Sequence, residues 1–286
     1  MKELIVTGDS WTFGSEIIDP SLDPNIEEWA LENTKYRESH IFPNLLAKKL
    51  NLNLIKNLSF PGASNDRIFR SIYNYLLKYY INDGKSLSDV FLIVQLSSFD
   101  RRDFYYKSQN EHMGNFKTVW PNWEHDYDDY NFNIFIDTYS KFIQSDVDNL
   151  YRYVSQVFDF QNFCKTYKIP YLVLQGFYHT NYMPDITKWY DLPYIDLYKS
   201  YNSDNFNNTI YYQGSSELEM WDEVDPIRFM NKKSKNHSLH YILKSYQANN
   251  PLDSVFLDMH PNELGHSIIA NQLSEYIKKY NLLSFN

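Results

Sequence analysis

Apolar residues along this chain fall into two kinds of run, and the two kinds alternate. Residues 4–6 and 90–96 (Val-Phe-Leu-Ile-Val-Gln-Leu) are almost continuously apolar, which predicts strands buried on both faces. Residues 54–58 and 171–175, the latter opened by Pro170, predict two more strands. Between them the apolar positions recur at helical spacing. Residues 41–50 place Phe42, Leu45, Leu46 and Leu50 on one face, and residues 66–81 do so through Ile68, Ile72, Tyr75, Leu76 and Tyr79. Residues 146–167 predict one long helix. Residues 263–280 predict a last one, striped by Leu264, Ile268, Ile269, Leu273, Ile277 and Tyr280. Strands alternating with helices predict βαβ units, and hence an α/β fold with a parallel sheet covered on both faces.

Two segments break this rhythm: residues 101–137, polar and aromatic, and residues 177–253, rich in Tyr and Asn with little periodicity. Loops of this length inside a compact domain usually serve function. Both are expected to be insertions over the carboxyl edge of the sheet, within a single domain spanning 1–286. No internal repeat is evident.

Composition narrows the function classes. A formal net charge of -9 argues against a nucleic-acid partner. Cys164 is the only cysteine, so no internal disulfide can form. No apolar run is long enough to span a bilayer, and the first residues lack the apolar core of a signal peptide. The expectation is a cytoplasmic protein with no membrane partner. The 26 Tyr, 19 Phe and 6 Trp are expected mostly in the core, although aromatics in a groove can stack on sugars. His237-x-x-His240 and the acidic run after His125 lack the spacing of zinc or calcium sites, so no metal is expected. With 8 glycines and no Gly-x-Gly-x-x-Gly or P-loop, no nucleotide cofactor is expected either.

The first strand runs into Gly8-Asp9-Ser10. This presents a hydroxyl at the carboxyl end of a strand, where open α/β sheets hold their ligands. A serine nucleophile needs a base, and the base needs a group that fixes its tautomer. Of eight histidines, His260 has the suggestive context, Asp258-Met259-His260-Pro261-Asn262 ahead of the last helix. Asp258 shares a side with it if the chain is extended there. An acyl-transfer site also needs oxyanion donors. The Ser10 N–H and the N–H of Gly62, in Pro61-Gly62-Ala63-Ser64-Asn65, are the candidates.

These residues resemble the SGNH/GDSL hydrolase family. Gly8-Asp9-Ser10 resembles its first block, the segment from Asn57 to Asn65 its second, and His260-Pro261-Asn262 its last. The resemblance implies a flavodoxin-like three-layer α/β/α sandwich of about five parallel strands in the order 2-1-3-4-5. It implies an esterase, lipase, thioesterase or carbohydrate deacetylase with Ser10 as nucleophile, His260 as base and Gly62 as oxyanion donor. The chain departs from the pattern twice. Phe99 stands where the third block has a donor asparagine, leaving Ser97, Ser98 or Arg101 to replace it. Leu257 stands at the usual aspartate position, leaving Asp258, Asp253 or a backbone carbonyl to orient His260. Asn65 reads either as a brace of the oxyanion loop or as a helix N-cap, the latter preferred. Asp9 reads as a structural brace, and His266 as a structural histidine. Arg101 and Arg102 read either as a grip on a substrate anion or as partners of Asp100 and Asp103.

The expected activity is removal of an acyl group, acetyl first, from a carbohydrate or another small ester. The same residues would serve acyl transfer to a sugar. A non-catalytic binding or structural protein on a degenerate frame is the reading from outside the enzymes.

Overall fold

The structure is a computed structural model that describes residues 2–23, 25–107, 115–120, 129–144, 146–176, 220–230 and 238–284. Its centre is a parallel sheet. The first strand, β1 (Glu3–Thr7), pairs with β2 (Asn53–Asn57) on one side and with β3 (Val90–Leu96) on the other. A hairpin, β4 (Arg102–Tyr106) and β5 (Asn115–Val119), then intervenes, before β6 (Tyr171–Gln175) pairs with β3. The sheet order is β2-β1-β3-β6, which matches the expected order through its first four places. The expected fifth strand is reduced to isolated parallel bridges, Val173 with Phe229 and Gln175 with Ser238. Val173 N–H donates to Arg228 O at 2.8 Å and Met230 N–H to Val173 O at 3.0 Å, so this edge is covered by a fragment of strand.

The strand period of two divides the core into two layers. Val90, Leu92, Val94 and Leu96 face one side, where α4 (Asn65–Leu76) supplies Ile68, Phe69 and Ile72 and α6 (Asp146–Tyr167) supplies Val154, Val157 and Phe160. Phe91 and Ile93 face the other side. There α3 (Phe42–Leu50) supplies Phe42 and Leu46, and the last helix, α8 (Glu263–Lys279), supplies Ile268, Ile269, Leu273 and Ile277. The continuous apolar run of β3 is therefore the signature of a strand buried on both faces, and all seven of its residues are buried.

Three helices outside the first insertion are additions to the expected set. One is α1 (Ser10–Phe13), a single turn. Another is α2 (Leu31–His40), whose buried residues are the polar Asn33 and Arg37. Asn33 binds the chain ahead of it: its Nδ2 donates to Ile17 O at 2.9 Å and Glu28 O at 3.0 Å. The third is α7 (Leu239–Asn249), capped by Ser238 inside the second expected insertion. The first expected insertion is not a bare loop. Its hairpin and α5 (Tyr130–Thr138) enclose a small cluster of Val119, Phe132 and Ile136. Its residues 108–114 and 121–128, and most of 177–253, lie outside the described residues. Near the end, β7 (Phe256–Leu257) and β8 (His260–Pro261) form a minimal antiparallel hairpin just before α8.

One polar side chain sits inside β3. Gln95 is fully buried; its Oε1 accepts from Asp9 N–H at 3.1 Å and Thr12 Oγ1 at 2.8 Å, and its Nε2 donates to Leu96 O at 2.7 Å. The turn after β1 presses so closely on this amide that a Cβ on Gly8 would lie 2.6 Å from Gln95 Oε1. Replacing Gln95 with Leu keeps the volume but leaves buried donors on Asp9 and Thr12 without an acceptor. Gln95→Leu is expected to destabilise the fold by about 2–4 kcal/mol, measured by urea denaturation. A change below about 0.5 kcal/mol would show that the turn does not depend on the amide.

Candidate functional site

The turns after β1, β2 and β3 meet at the carboxyl end of the sheet. After β1, Asp9 caps α1: its Oδ1 accepts from Trp11 N–H at 3.0 Å. Asp9 is fully buried, and desolvation pushes its pKa up against the opposing pull of Arg101. This is the bracing role expected of it. Ser10 then opens the helix as a residue that is almost covered, 7% exposed. Its backbone N–H has no acceptor among the described residues.

After β2 the chain stays beside β1, with Leu58 N–H on Val6 O at 2.7 Å and Phe60 N–H on Gly8 O at 3.1 Å. Gly62 follows with φ of 72°, a left-handed conformation that glycine adopts without strain. Nothing lies within 4 Å of where its Cβ would be. Its N–H, like that of Ser10, has no acceptor among the described residues. Two free backbone donors thus stand on adjacent turns.

The N-cap of α4 is Ser64, whose side chain accepts from Arg67 N–H, and not Asn65 as preferred from the sequence. Asn65 instead ties the second turn to the third. Its Oδ1 accepts from Ser97 N–H at 2.8 Å, and its Nδ2 reaches Ser97 O and Ser98 O at 3.4 and 3.3 Å. A side chain so committed braces the loop and is not a donor to a ligand.

The third turn shows how the missing asparagine is handled. Phe99 is buried in the α4–α6 layer of the core and contributes no donor. Arg101 is buried and reaches back under the site. Its Nη1 donates to Ser97 Oγ at 2.8 Å and to Ala63 O at 3.5 Å, and lies 3.8 Å from Asp9 Oδ2. It therefore touches the residue before Ser10 and the residue after Gly62. Its guanidinium also stacks on Trp120, 4.1 Å from the ring centroid. Ser97 Oγ is engaged by this guanidinium, and Ser98 Oγ by the Asp100 carboxylate. Arg102 pairs with Asp148 at 2.8 Å, not with Asp103, which binds Arg70 at 2.5 Å.

The His260 segment lies against α1. No hydrogen bond joins Ser10 Oγ to His260 here. The partner of His260 Nδ1 is Glu16, whose Oε1 is 2.8 Å away. Asp258 does not take that place. It sits at the reversal between β7 and β8 with φ of 43°, exposed. The shared side expected for Asp258 and His260 required an extended chain, and the chain turns instead. Asp253 accepts from Tyr246 Oη at 2.8 Å and is also elsewhere.

Glu16 is unusual in its backbone, with φ of 69°. Non-glycine residues held there often mark functional sites. Its N–H donates to Glu28 Oε2 at 2.7 Å, while Ser15 Oγ donates to Glu28 Oε1 at 3.1 Å. Arg37 and Asn33 of α2 in turn hold the Glu28 carbonyl. Sequence reasoning missed Glu16 and Glu28 because neither sits in a recurring pattern. Glu16 lies six residues after Ser10, past a glycine that ends α1.

His266 is fully buried and its Nδ1 accepts from Phe42 N–H at 3.2 Å. It is the structural histidine expected. His240 joins Trp11 and Phe256 in an aromatic cluster, with ring centroids 5.9 and 5.7 Å away. His125 and His237 lie outside the described residues. Among the described residues no cluster of His, Cys, Asp and Glu has metal-binding geometry, and no helix is long and apolar enough to cross a membrane.

A family model described as "Family of unknown function (DUF6071)" matches residues 24–228, a span that leaves out Ser10, Glu16 and His260. No curated protein matches the chain. Among solved structures, a member of the lipolytic protein G-D-S-L family from Veillonella parvula DSM 2008 aligns with 12% identity and a TM-score of 0.43, covering 97% of this chain and 98% of that one. The psychrotrophic esterase EstA from Pseudoalteromonas sp. aligns with 10% identity and a TM-score of 0.42, covering 98% and 99%. A carbohydrate esterase with "divergent catalytic and non-catalytic binding functions" aligns with 13% identity and a TM-score of 0.44, covering 97% of this chain and 68% of that one. At these identities and scores the likenesses do not say which reaction this chain performs.

Burial pulls the pKa of His266 down from 6.5 to about 3, and repulsion from His260 acts in the same direction. The folded form holds the ring neutral, whereas the unfolded chain takes up a proton near pH 6.5. The stability from this neutral ring is present above pH 6.5 and declines as pH falls from there toward 3. In NMR titrations, the His266 ring signals are expected to stay unchanged from pH 8 down to about 4. A midpoint near 6.5 would contradict the buried, neutral assignment.

Proposed function

We propose that this chain, which belongs to the DUF6071 family, is a serine ester hydrolase acting on small acyl esters, acetyl esters of carbohydrates first among them. The observation that carries the proposal is the 2.8 Å contact between Glu16 Oε1 and His260 Nδ1, on a histidine segment that lies against the helix opened by Ser10. A carboxylate on Nδ1 holds a neutral imidazole with its proton on that nitrogen. This leaves the Nε2 lone pair to act as base. The resemblance of the three sequence blocks to SGNH/GDSL hydrolases supports the same assignment.

In the proposed reaction, Ser10 Oγ attacks the ester carbonyl carbon as its proton passes to His260 Nε2. The hydrogen bond between these two atoms forms with substrate in place, since such contacts are often open in free enzymes. The carbonyl oxygen becomes an oxyanion received by the N–H groups of Ser10 and Gly62, which have no other acceptor among the described residues. Collapse breaks the bond to the alcohol, whose oxygen takes the proton from His260. Water then attacks the acyl-serine, giving its proton to His260, and the acid leaves as Ser10 regains its proton. An alcohol acceptor replacing water would make the same residues a transferase. Arg101 is a positioning residue here, because it binds the chain next to both donors.

Ser10→Ala is expected to abolish p-nitrophenyl acetate turnover and fluorophosphonate labelling while leaving the fold intact. Glu16→Gln is expected to lower kcat on the order of 10²-fold or more, because an amide does not select the required tautomer or stabilise the imidazolium. Asp258→Asn is expected to change kcat by less than about twofold. Turnover that survives Ser10→Ala would sink the hydrolase reading. No turnover and no labelling in the wild type would favour a non-catalytic binding protein, a reading consistent with the buried Phe99.

A further inference from the structure

The polar buried side of α2 leads, through one carboxylate, to the pair formed by Glu16 and His260. Arg37 lays its guanidinium over the Phe13 ring, 4.1 Å from the centroid, and its Nη1 donates to Glu28 O. Asn33 Nδ2 donates to the same carbonyl at 3.0 Å. The main chain of Glu28 is thereby tied to α2, and its side chain reaches back along the chain. Glu28 Oε2 accepts from Glu16 N–H at 2.7 Å and Oε1 from Ser15 Oγ at 3.1 Å. Ser15 N–H in turn donates to Ser10 O at 3.0 Å. One carboxylate therefore clasps the far end of the short stretch that begins at Ser10.

The backbone explains why a clasp is needed. Glu16 stands at φ of 69°, a region that a residue with a Cβ occupies only where its surroundings hold it. With its N–H released, the residue is free to return to negative φ. That rotation re-aims the Cα–Cβ bond and takes the carboxylate away from His260 Nδ1, which it meets at 2.8 Å. The same helix steadies the other half of the pair. Tyr36 of α2 donates from its Oη to Glu263 Oε1 at the start of α8, three residues after His260.

We propose that Glu28 is a positioning residue: by accepting the Glu16 N–H it holds the Glu16 carboxylate on His260, and so keeps the imidazole proton on Nδ1. This deepens the serine hydrolase reading and rests on it for the role of His260 as base. Glu28 acts through Glu16, and no bond is made or broken at it. Glu28→Gln preserves the action, because an amide oxygen can accept from Glu16 N–H while the amide nitrogen donates to Ser15 Oγ. Glu28→Ala removes it.

Nitrogen NMR of the His260 imidazole reads the tautomer without any turnover. At about pH 9, above the ordinary histidine range, the Nδ1–H form is expected to predominate in the unaltered protein and in Glu28→Gln. In Glu28→Ala it is expected to give way in part to the Nε2–H form. The kcat for p-nitrophenyl acetate is expected to fall about tenfold in Glu28→Ala with KM unchanged. Added to Glu16→Gln, Glu28→Ala is expected to cost nothing more. An undiminished Nδ1–H form in Glu28→Ala would overturn the proposal. So would additive losses in the double variant, since Glu28 would then support the fold and not Glu16. If Glu28→Ala does not fold, hydrogen exchange of the unaltered protein decides. The Glu16 N–H is expected to exchange at least about a hundredfold more slowly than in an unfolded chain, and an unprotected amide would overturn the clasp. Failure of the serine reading is a separate result, seen as absent turnover and absent fluorophosphonate labelling of the unaltered protein, and it leaves the tautomer measurement standing.

Discussion

The site depends on a buried amide. A glutamine in the middle of a fully covered strand costs several hydrogen bonds to water, and it persists only where the protein replaces them. Gln95 recovers that cost by accepting from Asp9 N–H and Thr12 Oγ1 and donating to Leu96 O. The consequence is geometric. The turn after β1 is fastened to the central strand at the point where Ser10 emerges, and Gly8 must lack a side chain because the Thr12 side chain and the Gln95 amide occupy that space. The apolar layers on either face hold β3, and Gln95 ties the turn that carries Ser10 to it.

Arg101 does comparable work for the donors. Burying a guanidinium against a single carboxylate at 3.8 Å is a poor exchange for hydration, and desolvation lowers its pKa even though Asp9 and Asp100 oppose this. The Trp120 face and the acceptors on Ser97 and Ala63 make up the difference. What results is a single cation touching all three turns, beside the ties that Gln95 and Asn65 already make.

The legible part of the fold was the part governed by apolar periodicity. Residues 90–96, 171–175 and 146–167 were read with the boundaries later observed, because burial on one or two faces imposes a strict pattern. The illegible parts are those held by polar contacts or set within a long polar segment. Helix α2 has no apolar stripe because it is held through Asn33 and Arg37, and α7 lay inside a segment whose Tyr and Asn content masked its period. The candidate site divides in the same way. Ser10, Gly62 and His260 stand at strand ends and turns that a sequence displays. The carboxylate beside His260 was assigned to Asp258 on the assumption of extended chain, and a two-residue reversal at Asp258 and Met259 defeats that assumption. No local pattern could have named Glu16, since its contact with His260 spans 244 positions.

That long contact changes how the site is assembled. In the proposed arrangement the nucleophile and the carboxylate belong to one short segment, residues 10–16, fastened at its start by Gln95 and at its end by Glu28. Only the histidine arrives from elsewhere, on the β7–β8 hairpin. Asp258 then contributes through its backbone: by reversing the chain it brings His260 toward the residues 10–16 segment. The strain of holding Glu16 at φ of 69° is offset locally, because its N–H is taken by Glu28 and its side chain by His260. A carboxylate on the hairpin itself would orient the ring without tying the hairpin to the serine's segment. A carboxylate on the serine's own segment ties the base to the nucleophile directly, so the hairpin's position is corrected by the contact it makes.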